Sequence, residues 1–140
     1  AYGILLPDEV LQHEQIRQLI RLNARICTFS NDIFSYEKEV LQLGSRFNLI
    51  QMYIEAEGMS FDDALHASIR LVNDDSAAFL EALDDVPSFS DAQLDADVAK
   101  FVEGLKDQAT AAYHWQLTTP RYRSPQSPFP ELRQPLSATS

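Results

Sequence analysis

Apolar residues recur at helical spacing along most of the chain. Ile16, Leu19, Ile20, Leu22, Ile26, Phe29, Ile33 and Val40 gather on one face when the segment is wound as a helix. Pro7 followed by Asp8 reads as a helix entry, because a first turn tolerates proline. The pattern predicts helix from there to about Leu43, with a break near His13 and a stop at Gly44. A shorter helix is predicted from Phe47 to Glu57, closed by Gly58. Ser60 with Asp63 resembles a capping box. It opens a helix with apolar positions Phe61, Leu65, Ile69, Val72, Phe79, Leu80 and Leu83, ended by Pro87. Ser90 with Gln93 is a second candidate box. It opens a helix through Leu94, Val98, Phe101, Leu105, Ala109 and Ala112 to about Trp115. Nothing alternates like a strand, so the expectation is an all-α fold of four or five helices.

The composition changes after Thr118. Prolines at positions 120, 125, 128, 130 and 135 break any regular helix there, and Arg121, Arg123 and Arg133 make the segment basic. The chain is expected to divide into a helical body, residues 1–117, and an irregular, partly disordered, proline-rich tail, residues 118–140.

Charge and cysteine narrow the function. The net charge of −10 argues against nucleic acid and anionic membranes as main partners, because their phosphates would be repelled. A single cysteine, Cys27, forms no internal disulfide and offers no thiolate cluster. His13, His66 and His114 form no metal spacing. With no signal segment and no apolar run near the ~20 residues of a membrane span, a soluble cytoplasmic protein is expected. The opening "AYGILLPDEV" lacks an initiator methionine and starts in apolar residues, as if cut from a longer chain.

The stretch "NDIFSYEKE" carries the chemistry. Asn31, Ser35 and Glu39 stand four residues apart, so on an α-helix each trails the last by only about 40°. Such a stripe is either a solvated face or a ladder of hard oxygen ligands. An amide oxygen, a hydroxyl and a carboxylate suit Mg²⁺, with water and phosphate completing the shell, and disfavour zinc or copper. Lys38 adds a cation that could meet a phosphate. Small residues at Ala24, Cys27 and Thr28 extend the stripe and leave room for a cavity.

"NDIFSYEKE" resembles the second metal-binding motif of class I terpene synthases, with Asn31, Asp32, Ser35, Lys38 and Glu39 matching in type and spacing. "HWQLTTPRYRSP" is similar to the end of bacterial and fungal members, where an arginine–tyrosine pair, here Arg121 and Tyr122, follows a tryptophan, here Trp115. The resemblance implies a bacterial-type sesquiterpene cyclase, of whose helical barrel this chain is the C-terminal part. By that resemblance, Asn31, Ser35 and Glu39 would chelate one of three Mg²⁺ ions. Lys38, Arg121 and Tyr122 would hold the diphosphate of an isoprenyl substrate, farnesyl diphosphate by family frequency. Trp115 would line the cavity with Ala24, Cys27 and Thr28.

The family's aspartate-rich first motif has no counterpart. Asp62-Asp63, Asp74-Asp75 and Asp84-Asp85 do not continue into D-D-x-x-D or D-D-x-x-E, and all lie after the Asn31 motif. Two readings follow. In one, the chain is part of a cyclase whose N-terminal half is its necessary partner, and it is inactive by itself. In the other, it is a split or degenerate helical module that pairs with another helical half.

Overall fold

The computed structural model describes residues 5–127 and 129–133; the remainder of the tail expectation, at residue 128 and residues 134–140, falls outside them. The described residues form five α-helices: α1 (Asp8–Leu11), α2 (Glu14–Tyr36), α3 (Leu49–Glu57), α4 (Phe61–Leu83) and α5 (Ala92–Thr118). A π-helix (Glu37–Gln42) continues α2, and 3₁₀ turns cover Pro120–Tyr122 and Pro130–Leu132. Among these residues no strand occurs, and no helix is long and apolar enough to cross a membrane.

The stops and starts follow local chemistry. Gly44 and Gly58 adopt φ of +72° and +64°, left-handed values that favour glycine at a helix end. Ser60 Oγ accepts from the Asp63 N–H at 3.1 Å, as the sequence predicts. The second predicted capping box is corrected. Asp91, not Ser90, caps α5, accepting from Leu94 N–H at 2.8 Å. Ser90 takes φ +60° in the turn before it, and Gln93 donates to Asp97 instead. Asp95 holds that turn by accepting from the Ser88 hydroxyl at 2.6 Å and the Phe89 N–H at 2.7 Å.

Helix α2 is the spine. Its N-terminal half places Ile16, Leu19, Leu22 and Ile26 in a core with Leu6, Val10, Phe79, Ala82, Val98, Val102 and Leu105. Its C-terminal end places Ile33 and Tyr36 in a second core with Ile50 and Ala64, flanked by Ile69, Val72 and Phe129. Each fully buried Ile or Leu stabilises the fold by about 1.5–3 kcal/mol. The buried positions of α4 include small or polar residues, Ala64, Ser68 and Asp75, and Leu80 of the predicted stripe is exposed. Asp75 meets Arg25 of α2 in two bonds of 2.8 and 3.1 Å. A charge with so little exposure requires such a partner.

Part of the tail packs against the helical body. Tyr122, Ser127 and Leu132 are buried, and Phe129 packs its ring 5.3 Å from Phe34.

The two hydrogen bonds to Asp95 hold its carboxyl below the usual range, the Phe89 N–H contributing most. A depressed carboxyl contributes stability above its unfolded value, about 3.9, and loses it as pH falls through the lower folded value. Asp95→Ala is expected to lower the melting temperature at pH 7, with the gap to wild type closing as pH falls through the lowered folded value. Thermal melts of both proteins across pH test this; a gap independent of pH contradicts it.

Candidate functional site

The motif of α2 sits where the helix changes its winding. From Glu37 the turn widens: Leu43 N–H bonds the Lys38 carbonyl at 3.1 Å and Ser45 N–H the Glu39 carbonyl at 2.8 Å. A wider turn advances each residue by a smaller angle than an α-turn. Asn31 and Ser35 therefore keep the predicted α-helical step, whereas the step from Ser35 to Glu39 does not. The even ladder of the sequence reading is corrected at its last rung.

Asp32 belts this distortion to the next helix. Its carbonyl accepts from Asn48 Nδ2 at 2.7 Å, and its carboxylate accepts from Leu49 N–H at 3.0 Å. Asn48 Oδ1 in turn accepts from Ile50 N–H at 3.0 Å, capping α3. Burial pushes the Asp32 carboxyl up, the Leu49 N–H opposes this, and the charge of Glu39 pushes it up further. Glu39 therefore lies within electrostatic reach of Asp32.

The two sequence motifs meet. Asn31 Nδ2 donates to Tyr122 Oη at 3.1 Å, across ninety-one positions of chain. Trp115 places its ring edge-on to Tyr122 at 5.9 Å, and Arg121 lies over the Tyr122 ring at 5.7 Å. Phe34, Glu37 and Lys38 line a small cleft together with Arg121, Tyr122 and Arg123. Its volume of about 20 Å³ is enough for about one water molecule. The Arg-Tyr pair is thus docked on α2.

The donor set fits a hard cation. Tyr122 holds Asn31 by its amide nitrogen and leaves Oδ1 to serve as a ligand. Ser35 Oγ is fully buried with no hydrogen-bond partner. An orphaned buried hydroxyl is costly, and a metal ion would remove that cost. Among the described residues no three His, Cys, Asp or Glu side chains cluster. Asp62 and Asp63 are exposed in the first turn of α4, where the helix dipole favours them.

The remaining predicted positions separate. Ala24 and Thr28 are exposed on α2. Cys27 is half-buried, its Sγ 3.9 Å from Asn23 Oδ1, and burial pushes its thiol pKa up. Trp115 is 49% exposed. Glu39 does not line the cleft, whereas Glu37 does.

Known proteins resolve what the geometry belongs to. The profile of terpene synthase family 2, C-terminal metal binding, matches residues 1–78, more than half of the chain and all of the Asn31–Glu39 motif. The chain belongs to this family. It is similar to terpene synthases along most of its length. The 10-epi-cubebol synthase of Sorangium cellulosum is 30% identical over 125 residues, 89% of this chain and 39% of that protein. A sesquiterpene synthase of Cyclocybe aegerita is 34% identical over 122 residues, 87% of this chain and 35% of its own. The alpha-muurolene synthase of Coprinopsis cinerea is 35% identical over 122 residues, 87% of this chain and 28% of its own. The chain spans well under half the length of these relatives.

Sequence reasoning missed Gln116, which is buried at 2% exposure beside the motif. A signal was present: 98, 102, 105, 109, 112 and 116 continue one helical stripe, and a polar residue occupies its last position.

Asp32→Ala is expected to destabilise the protein by about 1–2 kcal/mol, the cost of leaving the Leu49 N–H without its acceptor. Asp32→Asn should cost less, because its amide oxygen still accepts from Leu49 and the repulsion from Glu39 is gone. Chemical denaturation measures both; equal losses contradict the capping role.

Proposed function

We propose that this chain forms the metal- and diphosphate-binding part of a class I terpene cyclase, a lyase that ionises an isoprenyl diphosphate with Mg²⁺ and cyclises the resulting carbocation. Farnesyl diphosphate is the favoured substrate, and a relative described as a sesquiterpene synthase supports it. The observation that carries the reading is the Asn31–Tyr122 hydrogen bond, which joins a metal ligand to a diphosphate donor.

Asn31, Ser35 and Glu39 would hold one Mg²⁺ of three. When bound, the metal supplies positive charge against the oxygens of the departing diphosphate. The side chains of this chain do the rest. Tyr122 accepts from Asn31, which leaves its own O–H to donate to a phosphate oxygen. Lys38 and Arg121 line the same cleft, so both cations would lie near an anion bound there. A diphosphate exceeds the present cleft, so Arg121 and Tyr122 lift to admit it and close again, excluding water as lids do. Trp115 packs edge-on to Tyr122, and its exposed ring would stabilise carbocationic carbon.

An aspartate-rich element from the rest of the synthase would carry the other two ions and face the open Ala24–Thr28 stripe. A cytoplasmic location goes with this reading. The other reading, a catalytically inactive pairing module, draws on the absence of D-D-x-x-D from this sequence.

Incubation of the full-length protein with farnesyl diphosphate and Mg²⁺ tests the proposal. Pyrophosphate and cyclic hydrocarbon should appear together. Glu39→Ala should reduce turnover by about 10²-fold or more, as loss of a transition-state electrostatic contact does. Near-normal turnover of that variant contradicts the metal assignment, and an inert wild-type protein favours the pairing module.

A further inference from the structure

Two side-chain hydrogen bonds tie α2 to the C-terminal part of the chain at successive heights. Asn31 Nδ2 donates to Tyr122 Oη, and one level earlier Asn23 Nδ2 donates to Gln108 Oε1 at 2.9 Å. The two levels are about 12 Å apart along α2, at 1.5 Å of rise per residue. Asn23 is buried at 5% exposure, and its Oδ1 faces Cys27 Sγ at 3.9 Å. Gln108 is exposed. Asn23 engages its oxygen, so its NH₂ is the outward end of this short polar chain. Gln108 and Trp115 differ by only about 20° around the axis of α5, so they share a face. Trp115 in turn packs on Tyr122, the partner of Asn31. One face of the α2–α5 pair therefore carries Asn31 and Trp115 at one end and Gln108 at the other. Ala24 and Ala111, on the stretch between, are exposed and short.

We infer that Gln108 is a specificity-determining residue: its amide marks the far end of the groove that takes the prenyl chain, and so limits the length of that chain. The inference rests on the proposed cyclase reading, which puts the diphosphate at Asn31, Lys38 and Arg121. The apolar chain must leave that point along the helices. Toward the C-terminal end of α2 the surface is already taken, by Tyr122 on Asn31 and by Phe129 against Phe34. Toward the N-terminal end the chain passes Trp115 and the short side chains, then meets Gln108. Covering an amide with hydrocarbon is costly when no protein partner replaces its water. A chain that ends before Gln108 leaves the NH₂ hydrated, and one more isoprene unit would strip that water. An apolar side chain of similar size would instead stabilise the added carbons.

The test uses the full-length protein with Gln108→Leu, which removes the amide at similar size, and Gln108→Glu, which keeps a polar end and an acceptor for Asn23. The double variant Asn23→Leu/Gln108→Leu replaces both partners, so no buried amide is left unpaired if the single variant fails to fold. Three quantities are read: the melting temperature, inhibition by inorganic pyrophosphate with Mg²⁺, and the ratio of kcat/KM for geranylgeranyl over farnesyl diphosphate. In Gln108→Leu and in the double variant that ratio should rise about tenfold, the scale on which apolar pockets discriminate. Pyrophosphate inhibition should stay within about twofold of wild type, because the diphosphate end is untouched. Gln108→Glu should keep the wild-type ratio. An unchanged ratio in both leucine variants overturns the inference while leaving the cyclase reading in place. Equal losses with both substrates, together with weaker pyrophosphate inhibition, make Gln108 only a brace between helices and also overturn it. A wild-type protein inert with every prenyl diphosphate removes the cyclase reading itself, and the inference falls with it.

Discussion

A buried helix that must also present polar atoms sets the terms for this structure. Helix α2 contributes to two separate cores, one at each end, and those cores fix its place. Along the same helix it carries Asn23, Ser30, Asn31 and Ser35, polar groups that are buried or half-buried. Polar groups so placed need partners. Asn23 donates to Gln108 at 2.9 Å, Ser30 to the Cys27 carbonyl, and Asn31 to Tyr122. Ser35 finds none. The line of satisfied groups ends at the hydroxyl that a cation would claim.

This constraint accounts for the tail. Proline-rich segments usually gain little by docking, since they form no regular hydrogen bonds of their own. Here the docking surface is already polar and rigid. Tyr122 gives Asn31 its partner, Trp115 and Arg121 pack on the Tyr122 ring, and Phe129 adds apolar contact at Phe34. The π-turn belongs to the same design. It widens the helix after Ser35, and Asp32 and Asn48 hold the widened segment to α3. Wide turns of this kind are common at functional sites.

Much of this was legible in the sequence, for reasons that can be named. Gly44 and Gly58 mark helix ends because both need left-handed φ. Ser60 marks a start because its hydroxyl satisfies an otherwise free N–H. Asn31, Lys38 and the Arg121–Tyr122 pair were readable by type and spacing, and the structure brings them to one place. The π-turn was not readable, since hydrophobic period does not encode a local change of winding. Asp91 displaced Ser90 as a cap because Asp95, one turn later, fixes the preceding turn through Ser88 and Phe89. The buried seam of α4 was missed at Ala64 and Ser68, because a search for large apolar residues passes over small ones. Gln116 was missed because a search for apolar residues passes over a buried polar one.

The central claim is that the metal motif and the tail form one site through Asn31 and Tyr122. A double-mutant cycle measures this directly. Asn31→Ala, Tyr122→Phe and the double variant are compared with wild type by the free energy of unfolding in denaturant, without metal or substrate. A formed hydrogen bond predicts a coupling of about 0.5–1.5 kcal/mol, with the double variant losing less than the sum of the single losses. Strict additivity, with Tyr122→Phe neutral in both backgrounds, would contradict the account.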